Sequence, residues 1–282
     1  MYGALIGDIA GSFYEVLELE AYKNKKVRSY MERVMIMDKD VPLFTKNSSC
    51  TDDSILTFAI ADAILSNTSY EEKLKEYGLR ELELGFDIYN RKKFSSGFIK
   101  WLNGCSDGKS YGNGCAMRVS PVGFLFNDIE KIKLESYKAT IPSHNHPNSI
   151  KASEAVALSI YLLRNGISKE ELKNFIEKNY FSLNYNLIDL RMNYKFTSEA
   201  LASVPQAIYC FLNSNDFEDA IRISLSIGGD SDTIATIVGS LAESYYGINE
   251  ELIEKVKPYI KEYMKPILND FYELNNKQYI KK

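Results

Sequence analysis

The chain has 282 residues, 45% hydrophobic and 26% charged, with 34 Lys plus Arg against 38 Asp plus Glu and a formal charge of −4. It can bury a core without staples, and its mixed charge argues against non-specific nucleic-acid binding. Four cysteines without CxxC spacing exclude a disulfide framework and suit a reducing, cytoplasmic setting, while no leader pattern and no run of 18 apolar residues predicts secretion or membrane spanning.

Taken in chain order, a glycine-rich stretch, Gly7-Asp8-Ile9-Ala10-Gly11-Ser12-Phe13-Tyr14-Glu15, ends in a lone acid beside aromatics. Residues 23–47 have no clean period and predict a long loop with short pieces of structure, as do residues 91–114; such loops often line sites. Residues 55–65 and 152–163 predict buried helices, and residues 69–84 a charged, amphipathic outer one. Gly166 is a helix stop, Ser168 with Glu171 a capping box, and Asp216 opens a helix running to Ile227. Residues 249–272 predict another outer helix, broken at Pro258 and Pro266. Strand signals are few, no linker divides the chain, and the simplest parse is one all-α domain over residues 1–282.

Two acidic turns each precede an apolar helix: Thr51-Asp52-Asp53 and Gly228-Gly229-Asp230-Ser231-Asp232-Thr233. Acids at helix starts have a simple explanation as caps. A cap needs one oxygen, however, whereas each turn offers two carboxylates and a hydroxyl. Gly228-Gly229 permits a tight turn and is expected to leave room over Asp230. If the turns meet, four carboxylates crowd one pocket and call for a cation. All-oxygen ligands favour Mg²⁺ or Mn²⁺ over Zn²⁺, with Ca²⁺ also compatible, and two ions suit six protein oxygens.

Ser110-Tyr111-Gly112-Asn113-Gly114 is neither a P-loop nor a dinucleotide fingerprint. Its glycines allow either a surface turn or a concavity of main-chain N–H groups for an anion, with Met117-Arg118 opening the next helix. His144 and His146 are the chain's two histidines and lack the partners of a zinc site. They read either as caps of a helix beginning near Asn148 or as phosphate or ribose contacts.

In order, these segments resemble the ADP-ribosylglycohydrolase family, on GALIGDIAGSFYE from Gly3, CTDDS from Cys50, SYGNGCAMRVSPVG from Ser110, SHNHP from Ser143 and GGDSDTIATIVGSLAESYYG from Gly228. The resemblance implies a compact all-α fold with two Mg²⁺ or Mn²⁺ ions that hydrolyses the bond between ADP-ribose and an acceptor. Thr51, Asp52, Asp53, Asp230, Asp232 and Thr233 would be metal ligands, and Glu15, Asp53 and Asp232 would carry the catalysis. Ser110, Tyr111, Gly112, Asn113 and Gly114 would cradle the pyrophosphate, with His144 and Asp52 also contacting substrate. The expected partner is an ADP-ribosylated protein or small conjugate and the expected state a monomer; the acceptor is open between arginine, serine, a nucleic-acid end and a small molecule. Three other readings share parts of this pattern. One is a non-catalytic ADP-ribose- or metal-binding protein of this fold, and another a helical module in which both acidic turns are caps. The third, an isoprenoid-type synthase, wants a further acid where Leu56 stands.

Overall fold

The glycine-rich stretch forms part of a 22-residue helix, Tyr2–Lys23. Glycine weakens an isolated helix by about 1 kcal/mol per residue, so packing must dominate here. Gly7 and Gly11 share one face, and a Cβ on Gly7 would lie 2.0 Å from the Ala235 carbonyl oxygen, one on Gly11 2.4 Å from the Asp232 Cα. The helix therefore lies backbone against backbone on the helix Ser231–Tyr246. That crossing carries Asp8 and Glu15 to the start of the second acidic turn's helix. The structure, a computed structural model, describes residues 1–279.

The helix Ser231–Tyr246 is buried without interruption from Ser231 to Ala242. It has no solvent face along that length because its neighbours, Tyr2–Lys23, Phe217–Ile227, Ala200–Leu212 and Pro147–Arg164, surround it. One apolar cluster, including Phe58, Val156, Phe211 and Ile237, runs through these helices and the helix Asp52–Leu65. The outer helices obey the opposite rule: Tyr70–Glu83 buries only Leu74, Tyr77, Gly78 and Glu81, and Lys169–Asn179 only Leu172 and Ile176.

Punctuation follows the sequence closely. Ser168 and Glu171 form a capping box, Asp216 accepts from the Asp219 amide, and Gly166 takes φ +90° just past the helix Pro147–Arg164. The 23–47 region holds the short helix Tyr30–Val34 and the 3₁₀ turn Met35–Met37. The 91–114 region holds the helix Ser96–Leu102. After Asn249 come Glu250–Val256, two 3₁₀ turns and Lys265–Tyr279, with Pro258 in the first of these turns and Pro266 near the start of the last helix. Met117-Arg118 does not open a helix as expected. Pro121 is favoured in a first helical turn, the helix begins at Ser120, and Arg118 stays in the preceding turn.

Among the described residues there is no strand, only isolated bridges pairing Lys109 with His144 and Gly112 with Glu199. The class is all-α, and no described helix is long and apolar enough to cross a membrane.

Candidate active site

The two acidic turns meet. Thr233 Oγ1 donates to Asp53 Oδ2 at 3.3 Å, across 180 positions of sequence. At the start of the helix Asp52–Leu65 the capping is done by other groups: Thr51 Oγ1 accepts from the Asp53 amide at 3.2 Å, and Asp8, from the first helix, accepts from the amides of Thr51 and Ser54 at 3.0 and 3.1 Å. Asp8 also accepts from the hydroxyls of Thr51, at 2.6 Å, and Ser54. Asp230 stands at the cap position of its helix yet makes no capping bond; its Oδ2 accepts from Asn113 Nδ2 at 2.8 Å. Asp53 Oδ1 is buried with no partner at all. The capping explanation thus fails for Asp53 and Asp230.

Carboxylate oxygens fall into two groups, Asp8 with Asp53 and Asp232, and Glu15 with Asp230 and Asp232, each within 4.8 Å. Asp232 belongs to both. Burial, followed by mutual repulsion, pushes Asp52, Asp53 and Asp232 well above the usual carboxylate range. Burial also raises Asp8 and Asp230, against the hydrogen bonds they accept. Among the described residues no ion pair reaches any of these five aspartates. Buried oxygens in this number, one of them orphaned, fit hard divalent cations. Asp52 falls outside both groups because neighbouring helical residues point about 100° apart. It still borders the cavity, where the charges of Glu15, Asp8 and Asp230 raise it.

Asp230 borders open space as expected, but the space beside the two glycines themselves is filled. Gly228 and Gly229 do take φ +74° and +79°, but a Cβ on them would strike Arg33 Nη2 at 2.4 Å and the Tyr194 ring at 2.3 Å. The glycines serve to admit the buried Arg33–Glu18 ion pair, 2.6 Å, and that ring. The open space is a cavity of about 700 Å³ bordered by Asp230, Glu15, Asp52, Asn113, His144 and Arg91.

Glu15 is pushed up to about 7, first by burial and then by Asp230, with Arg91 pulling the other way. Arg91 Nη1 donates to its Oε2 at 3.0 Å. On the opposite bank, Ser110, Gly112, Asn113 and Gly114 line the cavity, while Tyr111 is largely exposed, its ring centroid 5.9 Å from that of His146. The expected row of free amides is interrupted: Gly112 N donates to Ser110 Oγ and Asn113 N to the Ser198 carbonyl. His146 caps the helix Pro147–Arg164 by accepting from the Asn148 amide. His144 is buried and held well below the ordinary imidazole range, by burial and by Arg118. Its Nε2 lies 3.0 Å from where a Cβ on Gly114 would stand.

Sequence reasoning missed Asp8 and Arg91. Asp8, Ser12 and Glu15 are spaced four and three apart, so once the stretch is read as a helix they share a face. Arg91 has no such signal. It arrives on a loop clasp in which Asp87 accepts from the Arg91 amide at 2.7 Å and from Arg91 Nε at 2.8 Å.

The chain is similar to known proteins over nearly its whole length. The family profile for ADP-ribosylglycohydrolase matches residues 1–280. Human ADP-ribosylhydrolase ARH3 is 26% identical over 313 aligned residues, covering 88% of this chain and 84% of its own length. The ADP-ribosylarginine hydrolase Tri1 of Pseudomonas putida (strain GB-1) is 24% identical, covering 91% of this chain and 72% of its own. A solved ADP-ribosylglycohydrolase-related protein complex shares the fold at a TM-score of 0.68 and 18% identity, over 97% of this chain and 95% of that one.

Proposed function

The chain belongs to the ADP-ribosylglycohydrolase family, and from that premise we propose that it hydrolyses the glycosidic bond between ADP-ribose and an acceptor, an ADP-ribosylated protein side chain or a small conjugate, with a pair of Mg²⁺ or Mn²⁺ ions. The observation that carries the reading is the sharing of Asp232 between two groups of buried carboxylates at one cavity. Asp53, Asp230 and Asp232 would hold the ions together with Thr51, Asp52 and Thr233, and Asp8 adds a further carboxylate that the motifs did not single out. When bound, such ions neutralise the carboxylates and polarise the ribose hydroxyls and a water.

The chain's own groups divide the remaining work. The reacting ribose carbon gains positive character as its leaving group departs, and an ionised Glu15 at the cavity would favour that charge electrostatically. Glu15, raised to about 7 in the metal-free protein, would be the group that takes a proton from water. Asn113 fixes Asp230 through one hydrogen bond and stands in the turn that would carry the pyrophosphate. His144 faces the same turn.

The test is release of ADP-ribose from arginine-linked, serine-linked and small-molecule conjugates, with Mg²⁺ and after exhaustive chelation. Release that requires metal is expected. Undiminished release after chelation would remove the metal from the mechanism, and no release from any conjugate, with ADP-ribose still bound, would remove the hydrolysis.

A further inference from the structure

His144 is an imidazole with two distinct nitrogens and two distinct surroundings. Its Nδ1 lies 2.8 Å from Ser143 Oγ, and its Nε2 is turned toward Gly114 and Gly112, 3.0 and 3.8 Å from the positions their Cβ atoms would take. The proton can sit on either nitrogen of a neutral ring, and the neighbours decide which.

Arg118 supplies the decision. It is fully buried, and its Nη2 donates to Ser143 Oγ at 2.8 Å and to the Ala139 carbonyl at 3.1 Å. A guanidinium has no acceptor, so the Ser143 hydroxyl receives that bond and keeps its own hydrogen to give. The His144 Nδ1 lies within reach of that hydroxyl. If Nδ1 carried the proton instead, it would also donate to Ser143 Oγ, and the buried hydroxyl would be left with two incoming donors and no acceptor beside it.

We propose that Arg118 and Ser143 are positioning residues that lock His144 as the Nε2–H tautomer, so that a fixed, uncharged N–H donor faces the Gly112–Gly114 turn and takes a phosphoryl oxygen of the ADP-ribose. The assignment of that ligand rests on the function proposed above, whereas the tautomer does not. Arg118 acts through Ser143, and Ser143 through the ring. The relay also explains why a serine precedes the histidine at the end of the helix Ile129–His144: the hydroxyl must reach both the buried guanidinium and the next side chain.

The experiment is nitrogen NMR of the histidine-labelled full chain, in which His144 and His146 are the only signals and His146→Gln assigns them. The wild type is expected to show an acceptor-type Nδ1 and a protonated Nε2 at His144. Ser143→Ala is expected to mix the tautomers and weaken ADP-ribose binding about two- to fivefold, the inverse of the fraction of rings left as Nε2–H. Ser143→Thr, which keeps the hydroxyl, is expected to restore both. A proton on Nδ1 in the wild type, or Ser143→Ala with the wild-type tautomer and affinity, would overturn the relay. If the wild type fails to bind ADP-ribose, it is the functional reading that falls, and the spectrum still decides the relay.

Discussion

Glu15 Oε2 and Arg91 Nη1 stand 3.0 Å apart at the mouth of the cavity, joining the first helix to a loop 76 positions away. The pair is held from both ends: Glu15 by the helix packed under it, Arg91 by the Asp87 clasp and by the Tyr89 ring, 5.3 Å from the guanidinium carbon. Burial and Asp230 raise Glu15, and Arg91 opposes both. Arg91→Ala should therefore move the acidic limb of the pH–rate profile upward by about one unit, because an ionised Glu15 is harder to reach without the guanidinium. Activity at pH 7 should fall several-fold and recover toward pH 8.5. An acidic limb that stays in place would show that Glu15 does not set it.

Asp8 is asked to do two things: it accepts from two amides and two hydroxyls at the start of the helix Asp52–Leu65, and it brings a carboxylate to Asp53 and Asp232. Asp8→Asn keeps the size but turns an NH₂ group toward donors. Stability should drop by about 1–3 kcal/mol, the cost of unsatisfied buried groups, and metal affinity should fall with it. Chemical denaturation in chelator at pH 5, where repulsion within the cluster is least, isolates the first effect, and metal titration the second. A variant as stable as the wild type would mean that Thr51 alone suffices as the cap.

The raised carboxyls make the metal-free protein pH-sensitive in a definite direction. Glu15 ionises near 4.5 in an unfolded chain and at about 7 here. Between those values the folded state binds more protons, so its stability declines as pH rises through the window. Asp52, Asp53 and Asp232 act with the same sign. Glu81 and Glu135 are raised by burial but lowered overall by their lysine and tyrosine partners, so their contribution is lost only at still lower pH. In chelator, Tm should be lower at pH 7.5 than at pH 5. Mg²⁺ or Mn²⁺ should raise it most at pH 7.5, by roughly 2.7 kcal/mol of stability at a hundred times Kd. Tm that climbs with pH in chelator would contradict the arrangement of charges.

The convergence of Asp53 and Asp232 was legible because glycine, threonine and paired acids ahead of an apolar run exceed what capping needs and leave charge to be compensated. Helix ends were legible for the same local reason: Ser168, Asp216 and Gly166 act within one turn of themselves. What escaped depends on distant backbone. Gly7 and Gly11 look like helix breakers until the helix they touch is known, and with that helix goes the face shared by Asp8 and Glu15. Arg91 and the Arg118–Ser143–His144 chain are tertiary meetings between segments that carry no common period. The partners of Gly228 and Gly229 were not legible, because small residues admit a neighbouring side chain as readily as a ligand, and here Arg33 and Tyr194 fill the space beside them while Asp230 borders the cavity.

The close helix crossing gives the last test. A methyl on Gly7 must displace the Ala235 carbonyl, and a methyl on Gly239 the Gly3 carbonyl, each now 2.0 Å from the Cβ position. Neither obstacle is a flexible side chain, so the helices must part. Gly7→Ala should cost on the order of 1–3 kcal/mol despite its better helix propensity. It should also lose activity beyond what instability explains, because Asp8 and Glu15 move away from Asp232 with the helix. Gly85→Ala is the control. That glycine has open space around its Cβ position and φ +85°, so the substitution brings backbone strain without a packing clash. Its stability cost at Gly85 should leave metal affinity intact, whereas Gly7→Ala should weaken metal binding measured on the folded fraction. Equal metal affinity in the two variants would separate the helix contact from the site.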